Sequence, residues 1–183
     1  MSLLFGGSTG TGATSQGAFQ SCVSLTSIII PDSVINIGGR AFWMSGLSSV
    51  ALGNSVQSID TFASCNLSSV VIPASVTSIG DLAFANNINL TTVTFNSVDP
   101  PAITPYRYGA GSIFYQCSNI THIYVPATSV DAYRGALSES LYVIGQSLDI
   151  IQPNPGGVCS MKEKMVSVTM CVPFHAKTPN RSS

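Results

Sequence analysis

Charge is scarce in this sequence. Asp, Glu, Lys and Arg make up 8% of 183 residues, where about 25% is ordinary. The formal net charge is −1. That excludes an electrostatic footprint for nucleic acid or an anionic membrane. Ser, Thr, Asn and Gly must supply most of the polar surface. Histidine is limited to His122 and His175. No CxxC pair marks a zinc site. No two carboxylates are placed to converge, and the Asp residues fall mostly at turns, where their side chains bond local backbone. No apolar run approaches the ~18–20 residues of a membrane span. The opening MSLLFGGSTG has no basic n-region and too short an apolar stretch for a signal peptide.

Apolar material is present in quantity. Hydrophobic residues make up 45% of the chain and mean hydropathy is +0.37, enough for the core of one ordinary domain. The charge is unevenly distributed. Lys162, Lys164 and Lys177 all lie beyond residue 160, whereas residues 1–152 hold three Arg against six Asp and one Glu. This shift puts a boundary near Pro153–Pro155. Residues 1–16 read as a Gly/Ser/Thr-rich lead or partial cap. Residues 17–152 read as one repeat domain with its C-terminal cap, and residues 153–183 as an aperiodic, disordered tail.

The repeat is written on phenylalanine. Phe19, Phe42, Phe62, Phe84 and Phe114 head five segments, spaced 23, 20, 22 and 30 residues apart. Six residues on stand Leu25, Leu90 and Ile120, and five on their equivalents Leu47 and Leu67. Each opens a strand-like run: LTSIIIP, LSSVALG, LSSVVIP, LTTVTFN and ITHIYVP. The runs alternate. Ile28/Ile30, Val50/Leu52, Val70/Ile72, Val93/Phe95 and Ile123/Val125 are assigned to the core. Ser27/Ile29, Ser49/Ala51, Ser69/Val71, Thr92/Thr94 and His122/Tyr124 are assigned to the surface. Pro31, Pro73 and Pro126 close three runs, since Pro lacks the N–H that would extend a ladder. A second short apolar pair follows in Val34/Ile37, Val56/Ile59 and Val76/Ile79. One such unit cannot bury its own apolar face, so like residues must stack on those of the next copy.

The segments GAFQSCVSLTSIIIPDSVINIGG and TFASCNLSSVVIPASVTSIGDLAF resemble the BspA-like class of leucine-rich repeats, with its consensus of roughly AF..C..L..I.IP.SV..IG. The segment FNSVDPPAI, followed by IFYQCSNITHIYVPATSVDAYRGA, resembles the closing repeats of that family. The resemblance spans roughly residues 17–152. It departs at the insertion TPYRYGAGS (104–112) and at the shortened second and third copies. It implies a leucine-rich-repeat solenoid, a β-rich right-handed coil with short helical turns and a short C-terminal capping helix. A helix over SVDAYRGALSES, capped by Thr128 or Ser129, would close the last coil, and LYVIGQSLDII would complete the cap. At the other end LLF is a thin lid over an edge that invites pairing with another chain.

Cys22, Cys65 and Cys117 each stand three residues after a repeat Phe, in a column shared with Ser45 and Asn87. This reads as an interior turn position for small, weakly polar groups. Coils stack at ~4.8 Å, so cysteines two coils apart are about 10 Å distant, beyond the ~7 Å Cα reach of a disulfide. All three are expected to be free. Cys159 and Cys171 in the tail either pair with each other or stay free.

The outward strand face is the best candidate for function. Stacking brings Ser27, Ser49, Ser69, Thr92 and His122 into one column and Ile29, Ala51, Val71, Thr94 and Tyr124 into the next. Extended solenoid faces bind partners, although Ser/Thr/Val columns also simply make good sheets. Asn66, Asn89 and Asn119 lie in N-x-[ST] sequons, as does Asn180, and would carry glycans in a eukaryotic secretory pathway. GGSTG (6–10) fits a nucleophile elbow, but a repeat begins within ten residues and leaves no room for the helix that motif needs. A hydrolase using Ser8 is therefore remote, and no catalytic residue, metal or cofactor is assigned. The resemblance implies a non-enzymatic, cell-surface or secreted module of the kind found in anaerobic bacteria and parasitic protists. Its partner would be a protein, such as a host extracellular or cell-surface protein. The alternative is a structural spacer within a larger surface or fibre protein.

Overall fold

The computed structural model describes residues 3–5, 17–104 and 112–155. Among them the chain forms β1 (Leu3–Phe5), β2 (Ser27–Ile29), β3 (Val34–Ile37), β4 (Ser49–Ala51), β5 (Ser58–Ile59), β6 (Ser69–Ile72), β7 (Ser78–Ile79), β8 (Thr92–Phe95), β9 (Ala102–Ile103), β10 (His122–Val125), α1 (Val130–Val143) and β11 (Ile151–Pro153). Short 3-10 turns at Ala127–Ser129 and Leu148–Ile150 flank α1.

Each copy places its like residues beside those of the next. The strand runs pair in parallel as β2–β4 and as β6–β8–β10–β11. Ser27 lies opposite Ser49, Ser69 opposite Thr92, and Thr92 opposite His122. The second apolar pairs form a further parallel sheet, β1–β3–β5–β7–β9. At three of these strands it was legible only as Val34/Ile37, Val56/Ile59 and Val76/Ile79, because β5, β7 and β9 are two residues long and show no periodicity. The Phe turns make a third ladder. Ser21 N–H donates to Trp43 O at 2.9 Å, Ser64 N–H to Ala85 O at 2.8 Å, and Asn86 N–H to Tyr115 O at 2.8 Å.

The rings stack as the repeat requires. Centroids of Phe19–Phe42, Phe42–Phe62, Phe62–Phe84 and Phe84–Phe114 are 5.2, 5.1, 6.0 and 6.3 Å apart. The planes are within 8° of each other at the first three steps and open to 28° at the last. That last step is the one with the 30-residue spacing. Phe42, Phe62, Phe84 and Phe114 are fully buried.

The turn column reaches back by one copy. Cys65 Sγ donates to Phe42 O at 3.2 Å, Asn87 Nδ2 to Phe62 O at 2.9 Å, and Cys117 Sγ to Phe84 O at 3.1 Å. Ser45 Oγ also meets Cys65 Sγ at 3.3 Å. Asn87 thus meets the Phe62 carbonyl of the preceding copy, whereas Cys65 and Cys117 add a second donor to the Phe42 and Phe84 carbonyls, which already accept from Ser45 N–H and Asn87 Nδ2 in their own copies. Burial raises the Cys65 thiol pKa and pushes that of Cys117 up to about 11, so both stay protonated donors. Cys22, Cys65 and Cys117 are free.

Five expectations need correction. Cys22 is exposed, not interior; the column donates to the preceding copy, and Cys22 belongs to the first. The connecting turns are not helical, and among the described residues α1 is the one α-helix. The reason is local: the residue two after each Phe is left-handed, with φ of 57–59° at Ser21, Met44, Ser64, Asn86 and Gln116, and a right-handed helix cannot pass through it. Neither Thr128 nor Ser129 caps α1 through its side chain. Ser129 occupies the N-cap position without a side-chain bond, and its buried Oγ has no partner, because the preceding 3-10 turn runs directly into the helix. The outward strands do not form one ladder, since β4 and β6 are in separate sheets. The core-phase Ile28, Val50 and Leu52 are half-buried, unlike their fully buried equivalents in later copies.

The break between β4 and β6 has a steric context. A Cβ on Gly53 would stand 2.7 Å from Pro31 C and 2.8 Å from Asp32 N. Glycine therefore lets the second copy close tightly on the first. Asn54 N–H adds a 2.6 Å bond to Asp32 Oδ1. On the other side the copies are joined near the strand start by Asn66 N–H to Leu47 O at 2.8 Å and by Ser68 N–H to Ser48 O at 3.4 Å.

The C-terminal end is covered by α1, which buries Tyr133, Leu137 and Leu141. Tyr133 packs against Phe95 at 5.0 Å and donates to Ser97 O at 3.0 Å. Ser112 Oγ donates to Ser140 O at 2.9 Å and ties the last Phe turn to the helix. LYVIGQSLDII completes this end by finishing α1 and entering β11, which pairs with β10.

Two substitutions test this core by equilibrium denaturation. Phe62→Ala removes the middle ring of the column and should cost about 3–5 kcal/mol. Cys65→Val keeps the volume but leaves the buried Ser45 hydroxyl without its Cys65 partner and takes one of two donors from the Phe42 carbonyl, and should cost about 1–3 kcal/mol; Cys65→Ser, which retains a donor, should cost less than Cys65→Val.

Candidate interaction face

The candidate face is built by strand alternation. In β2, β4 and β6 the residues Ser27, Ile29, Ser49, Ala51, Ser69 and Val71 are all exposed. Ile29 is 80% and Val71 51% exposed. In β8 and β10 the outward Thr92, Thr94, His122 and Tyr124 are half-buried. The expected columns are thus brought together in two blocks. Ile29 lies opposite Ala51 in the first; Val71, Thr94 and Tyr124 follow one another in the second. Gln152 of β11 adds a further member beside Tyr124, one that aperiodic sequence beyond the helix did not reveal.

The two blocks differ chemically. The second ends on an aromatic pair: the His122 and Tyr124 rings are stacked at 5.6 Å with 19° between planes. Thr121 Oγ1 holds His122 Nδ1 at 2.9 Å, which fixes the imidazole beside Tyr124. The first block carries an open trough of about 670 Å³ lined by Ser27, Ile28, Ile29, Ser49, Val50 and Ala51. The trough was missed in the sequence. It is bounded by residues of both phases of β2 and β4, which alternation assigns to opposite faces.

The other assigned positions lie off this face. Asn66, Asn89 and Asn119 are exposed, each just before a buried repeat Leu67, Leu90 or Ile120. Asn119 Nδ2 donates to Ile88 O at 2.7 Å. Ser8 with its GGSTG string, His175, Asn180, Cys159 and Cys171 lie outside the described residues. Among the described residues no cluster of three His, Cys, Asp or Glu is arranged to hold a metal, and no helix is long and apolar enough to cross a membrane.

One electrostatic feature lies beside the second sheet. Partial burial raises the Asp60 pKa, the nearby Asp81 carboxylate raises it further, and a hydrogen bond from Gly39 N–H opposes both. The folded chain therefore holds this proton to higher pH than the unfolded chain does. On that account stability increases as pH falls from neutral through the raised pKa toward the ordinary 3.8. Asp81→Asn should stabilise the protein at pH 7 and make little difference at pH 3, as read by denaturant midpoints at the two pH values.

A family model described as a BspA type leucine-rich repeat region, with six copies, matches residues 13–142. The six copies exceed the five Phe-headed segments by one, and the match covers β2 to β10 and nearly all of α1. No curated protein matches the sequence. With stacked Phe turns, parallel ladders and a family match over most of its length, this chain belongs to the BspA-type leucine-rich repeat family.

Proposed function

We propose that the repeats wind as a right-handed solenoid whose outward strand face binds a protein partner without catalysing a reaction. Leucine-rich repeat regions commonly mediate protein interactions and are generally non-enzymatic. BspA-type regions are usually surface-associated or secreted. The natural setting of this reading is therefore a cell surface or the extracellular space, with adhesion to host proteins or other cells as the outcome. In this reading residues 17–152 are the binding unit, residues 1–16 a lead or partial cap, and residues 153–183 a tail. In a eukaryotic secretory pathway Asn66, Asn89 and Asn119 would be glycosylated, away from the binding columns.

The observation that carries this reading is the exposure of Ile29 and Val71 at outward positions of parallel strands. Branched apolar side chains held in water on a rigid sheet mark interaction surfaces. The second reading, a structural spacer, draws on the Phe column, whose stacking propagates a fold with no need of a ligand.

Solid-phase binding to a panel of immobilised extracellular host proteins separates the two. The double variant Val71→Asp with Tyr124→Asp should lose at least tenfold in binding while its melting temperature stays within a few degrees of the parent. Binding equal to that of the parent would leave the spacer.

A further inference from the structure

We propose that the outer edge of β2 accepts residues 169–173 of the chain's own tail as an added parallel strand. Pairing along an edge leaves the outward side chains in place, so this site stands apart from the binding face above.

The first coil is covered on one side and open on the other. Its second apolar pair, Val34 and Ile37, is fully buried, with β1 laid beside it in parallel. Its Leu25 and Ile28 are half-buried, whereas the equivalent Leu67, Val70, Leu90 and Val93 of later copies are buried. Among the described residues β4 is the one strand paired with β2. Ser49 N–H donates to Thr26 O at 3.3 Å, and Ile30 N–H to Ala51 O at 2.8 Å. Backbone groups alternate in direction along a strand, so Ser27 and Ile29 turn their N–H and C=O groups to the other edge. Such an edge is a template for a further strand.

The tail carries a matching run. SIIIP (27–31), SVVIP (69–73) and HIYVP (122–126) share one order: a polar residue, two core-phase apolar residues flanking an outward one, and Pro. TMCVP (169–173) has the same order, although it stands beyond the repeats and outside the described residues. The alternation extends back through Val168 and Val166, the pattern of a strand with one apolar face. The parallel register sets Thr169 opposite Ser27, Met170 opposite Ile28, Cys171 opposite Ile29 and Val172 opposite Ile30. The closing Pro selects the edge of β2 over that of β1. Runs of the second sheet, Val34/Ile37, Val56/Ile59 and Val76/Ile79, are followed by Gly38, Asp60 and Gly80 instead.

Reach and tethering decide the source of the strand. From β11 the outer edge of β2 is six rungs away, about 29 Å at ~4.8 Å per rung. Thr169 is 14 residues beyond Pro155, a length that spans up to ~46 Å at ~3.3 Å per residue. The tail therefore reaches, with slack to return to the strand start. A tethered segment is held at a higher effective concentration than the same segment on a second copy.

The test is proximity crosslinking in the full chain carrying Cys22→Ser and Cys159→Ser. Cys171 is then the reactive native thiol, since Cys65 and Cys117 are buried. With Ile29→Cys added, dibromobimane should bridge residues 29 and 171 at monomer mass, as read by peptide mapping. Val71→Cys, also outward but two copies away, should be bridged at least tenfold less. Met170→Asp, which sets a charge against Ile28, should abolish the bridge to residue 29. In the otherwise unaltered chain, Met170→Asp should lower the amide-exchange protection of Ser27 and Ile29 at least tenfold. It should leave Ile30, bonded to β4, unchanged. No bridge to residue 29, an equal bridge to residue 71, or unchanged protection in Met170→Asp overturns the docked strand. A bridge found at dimer mass overturns it in favour of a second copy. Amide exchange reports on the site independently should Ile29→Cys misfold.

Discussion

The register of this chain depends on one copy donating hydrogen bonds to the buried carbonyls of the copy before it. A turn that carries a buried phenylalanine must also bury peptide carbonyls, and an unmet buried carbonyl costs about as much as a lost hydrogen bond. Here the Phe62 carbonyl is met by Asn87 of the following copy, and the Phe42 and Phe84 carbonyls, which also accept from Ser45 N–H and Asn87 Nδ2 in their own copies, gain a second donor in Cys65 and Cys117. The same step that stacks the rings aligns these donors. Burial and hydrogen bonding thus select the same register, and a slip of one residue would lose both. Two chemically different side chains, a thiol and an amide, serve because the position requires only a short group with a proton to give.

That division of labour explains which parts of the fold were legible. Positions constrained by burial repeat their residue type, so the Phe and Leu columns and the alternating strand runs could be read directly. Positions constrained by backbone conformation do not. The left-handed residue after each ring is Ser21, Met44, Ser64, Asn86 or Gln116, with no glycine among them to announce a positive φ. The turns were therefore expected to be helical. The second sheet was half-visible for a related reason: its apolar pairs were seen, but two-residue strands are defined by their neighbours and not by any pattern of their own. Strand β11 lies past the helix and outside the repeat, so only its pairing with β10 identifies it.

The candidate face was legible as a surface and not as a site. Alternation alone placed Ser27 to Tyr124 outward, because a strand that buries one face must expose the other. It could not say that β8 and β10 would leave their outward residues half-covered while β2, β4 and β6 left theirs open. Nor could it show the break after β4. Beside it Gly53 lies against Pro31 and Asp32 of the neighbouring copy, a contact between residues some 22 positions apart that single-strand periodicity does not encode.

The irregular second copy is where architecture and function meet. A repeat fold is held together by sameness, so a copy that departs from the rest weakens the ladder it belongs to. The half-buried Ile28, Val50 and Leu52 carry that cost, since their counterparts in later copies are buried more deeply. The turn ladder and the second sheet continue past the same point, with Met44 N–H bonded to Ala63 O at 3.1 Å and β5 paired to β7. Two ladders therefore hold the copies together where the third opens. The core keeps its register through the stacked rings at the same point where the outer strands part into separate sheets.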